Sequence, residues 1–367
     1  MKSRRPRERT ETSLAAIFTG PGQLELRELA VPAVRAGEAL VRVTCCTICG
    51  SDLHTFTGAR REVIPSILGH ELIGTVHSVG DPPPSDVTGN AIRPNDRVTW
   101  STAIACGACD RCEMGMPQKC QKLAKYGHEC ASGRTALSGG LADFVLLRPG
   151  TTVVMLGAEI PDHVACPANC ATATVAAAFR AADRVRGQRV LIFGAGMLGL
   201  TAVAYAKGHG AARIVVCDRI AARLDRALTF GADDVVVWPE KHDDLRRQQA
   251  TEFDIVLEFS GDPATLELGC QLADVAARVI LVGTVTPCDA VRLDPEQIVR
   301  RCLTIRGVHN YAPKDLQTAV GFLQRFHQVF PFVELVEQHY PLNRVHEAFE
   351  FALRERPVRV AVLPSKR

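Results

Sequence analysis

Residues 189–199 constrain the fold of this chain more than any other segment. Arg189-Val190-Leu191-Ile192-Phe193 reads as a buried strand, and Gly194-Ala195-Gly196-Met197-Leu198-Gly199 opens an apolar, alanine-rich helix. In G-x-G-x-x-G at a strand–turn–helix junction, the first glycine makes the tight turn and the second lets the backbone approach a pyrophosphate. The third allows close helix packing, and the helix N-terminus faces the phosphate charge. The next strand, Arg213-Ile214-Val215-Val216-Cys217, ends at Asp218, 19 residues after Gly199. A carboxylate there binds adenosine ribose hydroxyls and repels a 2′-phosphate, which favours NAD over NADP. Arg219 follows and works against that preference, unless it is only a solvated charge at a strand end. A nucleotide-type domain with no working site reads the same from these residues alone.

The surrounding pattern extends this unit. The alanine-rich stretch from Ala171 through Ala182 reads as a helix leading into the nucleotide fold. Strands at Asp254–Glu258 and Arg278–Val282 bracket a helical segment after Pro263, and Leu303–Arg306 reads as the last strand. Such alternation demands a parallel sheet with helices on both faces, a doubly wound Rossmann architecture. Gly283 and Thr284 lie at a strand's carboxyl end, where nicotinamide contacts are expected. From about Leu14 to Cys170, short apolar runs alternate with Gly- and Pro-rich breaks, the pattern of an irregular, mostly β domain. The expected organisation is a tail at 1–13, a β domain at 14–173 and 308–367, and a Rossmann domain at 174–307.

Cysteine spacing supplies the chemistry. Cys106, Cys109, Cys112 and Cys120 stand as C-x2-C-x2-C-x7-C, with Gly107, Gly115 and Pro117 as turn residues between them. Four thiolates so close suit one closed tetrahedral zinc that holds a lobe at about 96–130 without doing chemistry. The plainer reading is a cluster of buried or oxidising thiols. A second, open site can be assembled from Cys49 in Cys49-Gly50-Ser51-Asp52-Leu53-His54, from His70 in Gly69-His70-Glu71, and from Cys170. Three protein ligands leave a fourth position for water or substrate. Asp52 is placed to accept the second ring N–H of His70. Taken singly, His70 also reads as a structural histidine and Cys170 as a small core residue.

With Leu68-Gly69-His70-Glu71-Leu72-Ile73-Gly74, Asn95-Asp96-Arg97-Val98 and Gly139-Gly140-Leu141-Ala142-Asp143-Phe144 added, the chain resembles the zinc-containing medium-chain alcohol dehydrogenases over nearly its whole length. The resemblance implies a GroES-like catalytic domain beside the Rossmann domain, and two zincs per chain. Cys49, His70 and Cys170 would be the catalytic ligands and the four clustered cysteines the structural set. Cys166 is a rival third ligand; the interval from Cys170 to the glycine-rich turn fits the family better. Polyol-type members carry glutamate at that place, so the cysteine points away from polyols. The implied roles put Gly194, Gly196, Met197, Leu198, Gly199, Asp218, Arg219, Gly283 and Thr284 on the cofactor. Ser51 would take the alcohol proton and pass it toward His54 through the cofactor ribose, and Glu71 would sit behind the metal, tuning it or assisting ligand exchange. The alternative is a non-catalytic NAD-binding structural or regulatory protein of the same fold.

Lys122–Glu129, with Val98–Ser101 and Asn169–Thr174, looks like a subgroup proposed to accompany phosphonate catabolism. That implies an alcohol or aldehyde bearing an anionic group, with Lys125 or His128 as its contact; otherwise these residues pack the zinc lobe and the substrate is a simple alcohol.

At 367 residues the chain accommodates two domains with sizeable cores. Its formal net charge of +3 is too small to imply nucleic acid. A basic run (Lys2, Arg4, Arg5, Arg7, Arg9) reads as a disordered tail or, alternatively, an anion-binding segment. No apolar stretch follows it that would make a signal peptide or membrane span. With six of 14 cysteines on zinc, the rest show no disulfide framework, which points to a reducing, cytoplasmic compartment. The expected partner is a small alcohol or aldehyde, and the chain is expected to form a homo-oligomer, dimer or tetramer. The run Pro82–Pro84 reads as a stiff surface loop.

Overall fold

The computed structural model describes residues 11–238 and 253–364. The basic N-terminal run therefore lies outside the described residues. The chain divides into two compact units, one of residues through Gly107, Gln121–Cys166 and Val336 onward, the other of Ala108–Cys120 and Pro167–Leu335.

The first unit is built on β-structure, as the alternating pattern predicts. Its larger sheet runs in the order Val153–Met155, Arg97–Trp100, Glu71–Val79, Ala39–Thr47, Arg359–Leu363, Val336–Pro341, with Phe144–Leu147 also pairing Ala39–Thr47. A three-stranded sheet of Gln23–Ala30, Thr12–Gly20 and Ser66–Ile67 completes it. Ala39–Thr47 is buried along most of its length because partner strands cover both edges, with Arg42 left exposed on one face. Trp100, Tyr126 and Phe144 are among its largest buried side chains.

The second unit is a six-stranded sheet in which every pairing is parallel. The strands stand in the order Asp234–Val237, Arg213–Asp218, Arg189–Phe193, Phe253–Glu258, Ala273–Leu281, Thr304–Gly307. Numbered along the chain this is 3-2-1-4-5-6, the doubly wound dinucleotide-binding order. The sequence reading did not single out Asp234–Val237, a run of only four residues after the turn at Gly231.

The boundary expected at Val308 is displaced. The second unit continues to Leu335 because the helix Pro313–Phe326 packs on the helix Ala171–Ala182. Arg180 holds Asp315 through Nε and Nη2 at 2.6 and 2.8 Å. Phe322 lies 5.0 Å from the Tyr205 ring, and Tyr205 stacks on Phe179 at 4.7 Å. The cysteine loop Ala108–Cys120 also groups with this unit. Lys119 Nζ lies 2.6 Å from His309 Nδ1, and Asn310 donates to the Gln118 carbonyl at 3.3 Å.

Candidate metal centres and active site

Cys49 stands immediately before the short helix Gly50–Phe56. Asp52, in the first turn, folds its carboxylate back so that Oδ2 accepts the Cys49 N–H at 2.9 Å. Its other oxygen accepts the Gly69 N–H at 3.2 Å and lies 3.3 Å from His70 Nδ1. One carboxylate, only 1% exposed, thus ties the start of the helix to the Gly69–His70 turn. A hydrogen on Nδ1, the ring nitrogen nearer Asp52, would direct the Nε2 lone pair away from that carboxylate, toward a metal. Ser51 Oγ sits 3.3 Å from that Nε2.

The ligand atoms of Cys49, His70 and Cys170 all lie within 4.8 Å of one another. Two sulfurs and one imidazole nitrogen match a zinc set with an open fourth position. Burial pushes the His70 pKa down, but the negative charge of Asp52 and Cys49 more than offsets it and raises it well above the ordinary value. Two thiol sulfurs and one imidazole nitrogen, gathered in a mostly buried site, are a donor set that fits zinc.

Cys106, Cys109, Cys112 and Cys120 likewise bring their sulfurs within 4.8 Å of one another. Cys109 Sγ lies 3.5 Å from Cys112 Sγ and 3.9 Å from Cys120 Sγ. The intervening helix Asp110–Glu113 turns Cys109 and Cys112 the same way. Four sulfurs leave no open position.

At the nucleotide turn, a Cβ on Gly199 would stand 1.8 Å from the Gly194 carbonyl oxygen, so the helix can pack there only on glycine. A Cβ on Gly196 would meet nothing within 4 Å, which is the free approach a pyrophosphate needs. Met197 and Leu198 open the helix behind it. Asp218 ends its strand with Oδ2 accepting the Ala195 N–H at 2.6 Å and Oδ1 the Ile220 N–H at 2.8 Å. A cavity of about 500 Å³ is lined by Gly194, Gly196, Asp218, Arg219, Arg223 and Trp238 among others. Arg219 is paired to Asp262, which also accepts the Trp238 Nε1–H at 3.2 Å. Thr284 lines a second cavity of about 550 Å³ with Val285, Val308 and His309, and its hydroxyl donates to the buried Glu258 at 3.3 Å. The Gly283 N–H donates to the Glu258 carbonyl at 2.9 Å.

Residues 35–161 match the family model for the alcohol dehydrogenase GroES-like domain, and residues 198–325 that for zinc-binding dehydrogenases. An L-threonine 3-dehydrogenase of Pyrococcus horikoshii is 33% identical over 312 residues, 82% of this chain and 83% of its own length. This chain belongs to the zinc-containing medium-chain alcohol dehydrogenase family. A sorbitol dehydrogenase of Bombyx mori is 25% identical over 361 residues, covering 92% of this chain and 94% of its own. The crystal structure of an alcohol dehydrogenase from Thermotoga maritima matches with a TM-score of 0.90 at 27% identity, over 97% of this chain and 100% of that one. The protein is thus an oxidoreductase of the zinc and nicotinamide type. No helix among the described residues is long and apolar enough to cross a membrane.

Around the metal centre of this dehydrogenase, Glu71 is fully buried and gripped by a residue the sequence reading missed. Arg359 Nε and Nη2 each reach a Glu71 oxygen at 2.7 Å, and Thr47 Oγ1 donates to the same carboxylate at 2.7 Å. Burial raises the Glu71 pKa against the opposing pull of Arg359. Arg359 Nη2 also lies 3.7 Å from Cys49 Sγ. Only its position in an otherwise apolar terminal strand, Arg359–Leu363, hints at a buried charge.

The rival ligand Cys166 is turned elsewhere. Its thiol donates to the Glu71 carbonyl at 3.1 Å, and burial pushes its pKa up, keeping it protonated. His54 lies on the exposed side of its helix, and no hydrogen bond joins it to Ser51 among the described residues. Lys125 belongs to a two-stranded ribbon with Ala103–Ile104. His128 is held by a carboxylate: its Nδ1 lies 2.6 Å from Glu62 Oε2, and its ring centroid is 5.3 Å from that of His70. Burial lowers the His128 pKa despite that partner.

Proposed function

We propose that this dehydrogenase oxidises an alcohol, or reduces the matching aldehyde or ketone, by hydride exchange with NAD(H) at a zinc held by Cys49, His70 and Cys170. Cys106, Cys109, Cys112 and Cys120 would hold a second, structural zinc. The observation that carries the reading is the convergence of two sulfurs and His70 Nε2, with Asp52 fixing the imidazole from behind and Ser51 beside it.

When bound, zinc supplies Lewis acidity at the alcohol oxygen and the nicotinamide ring accepts the hydride. Asp52 keeps His70 in the tautomer that offers Nε2 and strengthens it as a donor. Ser51 Oγ, next to that nitrogen, would accept the alcohol proton while giving up its own, and His54, exposed on the same helix, would pass a proton to solvent. Glu71, clamped by Arg359 and Thr47, sets the field behind Cys49. NAD is favoured over NADP because Asp218 keeps a lone pair on each oxygen for the ribose hydroxyls, while Arg219 is drawn off by Asp262. The partner is a small alcohol or aldehyde, and the working form is a homo-oligomer.

Metal analysis of the purified chain, paired with formation of reduced nicotinamide on a panel of small alcohols, tests the reading. Two zincs per chain with turnover of any panel member is the expected result. One zinc without turnover would leave a structural or regulatory dinucleotide-binding protein.

A further inference from the structure

We propose that Glu62 and His128 form a recognition pair beside the metal, reading a second hydroxyl one or two carbons from the one oxidised, so that short diols are the preferred substrates. The inference rests on the alcohol dehydrogenase reading above.

The segment Tyr126-Gly127-His128 is pressed against the metal-binding turn. Gly127 has φ +79°, and a Cβ there would stand 2.9 Å from the Gly69 carbonyl oxygen and 3.2 Å from His70 Cβ. Glycine at 127 is therefore what lets the next side chain reach the metal ligand. Tyr126 anchors the approach from within the core, its hydroxyl 2.7 Å from Thr151 Oγ1 and accepting the Arg148 N–H at 2.9 Å. The His128 and His70 rings then lie 5.3 Å apart with their planes at 33°.

Glu62 fixes which atom His128 presents. The two side chains are 11% and 9% exposed, and a carboxylate accepts only, so the Nδ1 it faces at 2.6 Å is the donor. Nε2 has no protein partner among the described residues and is not fully enclosed. A polar atom is thus left over, oriented by a buried carboxylate, one ring away from the substrate-binding metal. Packing alone does not require that arrangement, since an apolar ring would fill the same space.

The chemistry of the pair selects the ligand. The single negative charge of Glu62 faces both the His128 ring and Arg60. Arg60, 3.7 Å from the same carboxylate oxygen, is the more exposed neighbour. An anionic substrate would need an uncompensated positive charge at Nε2. A hydroxyl both donates and accepts, so it satisfies Nε2 with or without its proton. A hydroxyl thus fits Nε2 in either state, whereas the phosphonate-type contact raised for His128 fits only a charged ring. That fit places diol recognition on His128 rather than on the third metal ligand, where cysteine stands.

The test compares kcat/KM for 1,2-propanediol and 1-propanol in the zinc-loaded full-length enzyme, as wild type, His128→Phe, His128→Gln and Glu62→Gln. Wild type should favour the diol. His128→Phe should lower the diol-to-monoalcohol ratio about tenfold, the size of one lost polar contact, and His128→Gln should keep part of it. The calorimetric Kd of 1,2-propanediol without nicotinamide should weaken by the same factor, with zinc content unchanged. A ratio indifferent to His128→Phe, with both substrates affected equally, overturns the inference in favour of packing. A wild-type preference for 2-hydroxyethylphosphonate that His128→Phe abolishes overturns it in favour of an anion. In both cases 1-propanol turnover leaves the alcohol dehydrogenase reading standing. If no alcohol is oxidised and the open zinc is missing, that reading falls and this one with it.

Discussion

Arg359 and Glu71, 288 residues apart in the chain, form a bidentate ion pair with both nitrogen–oxygen distances at 2.7 Å. Both side chains are buried, 8% and 0% exposed. Arg359 also faces the sulfur of Cys49, so the last described strand backs the proposed metal ligand.

Removing one member of this pair strands the other. Arg359→Ala leaves the Glu71 carboxylate buried with only Thr47, and should cost about 3–5 kcal/mol in denaturant unfolding. Arg359→Lys should recover only part of that, because an ammonium cannot reproduce the two-pronged geometry. The double change Arg359→Met with Glu71→Met should restore much of the stability while weakening zinc retention at the Cys49 site. Equal zinc affinity in the double variant would show that the pair serves the fold alone.

The two metal centres should separate by variant. Cys49→Ala or His70→Ala should lose one zinc equivalent and about a thousandfold or more in turnover, with far-UV circular dichroism retained. Cys109→Ser should lose the other zinc and lower Tm by roughly 10 °C, because a closed site contributes folding free energy. Full turnover in Cys49→Ala would sink the catalytic-metal assignment.

Glycines of the nucleotide turn should fail in different ways. Gly199→Ala drives a methyl into the Gly194 carbonyl, and soluble yield or Tm should drop. Gly196→Ala meets open space, so the fold should persist while NAD affinity, read by quenching of protein fluorescence, falls at least about tenfold. Normal NAD affinity in Gly196→Ala would mean that the phosphates lie elsewhere.

Local signals carried much of this protein. The strand Arg189–Phe193, its glycine turn, the carboxylate at Asp218 and the cysteine loop are each complete within a few dozen residues. Backbone sterics and coordination chemistry there act between near neighbours, so spacing alone announces them. The spacing also brought Ser51 and Asp52 onto one short helix with Cys49 immediately before it. In the sequence, only the family interval to the glycine-rich turn preferred Cys170 over Cys166 as third ligand. Tertiary structure turned the Cys166 thiol to the Glu71 carbonyl and brought Cys170 to Cys49 and His70. It also carried the second unit to Leu335, because Asp315 needed Arg180 and the apolar face of its helix needed Tyr205 and Phe179. Arg359 behind Glu71, and Glu62 behind His128, were beyond reach of the sequence for the same reason. A buried charge has meaning only through the partner that neutralises it, and chain folding, not spacing, chooses that partner.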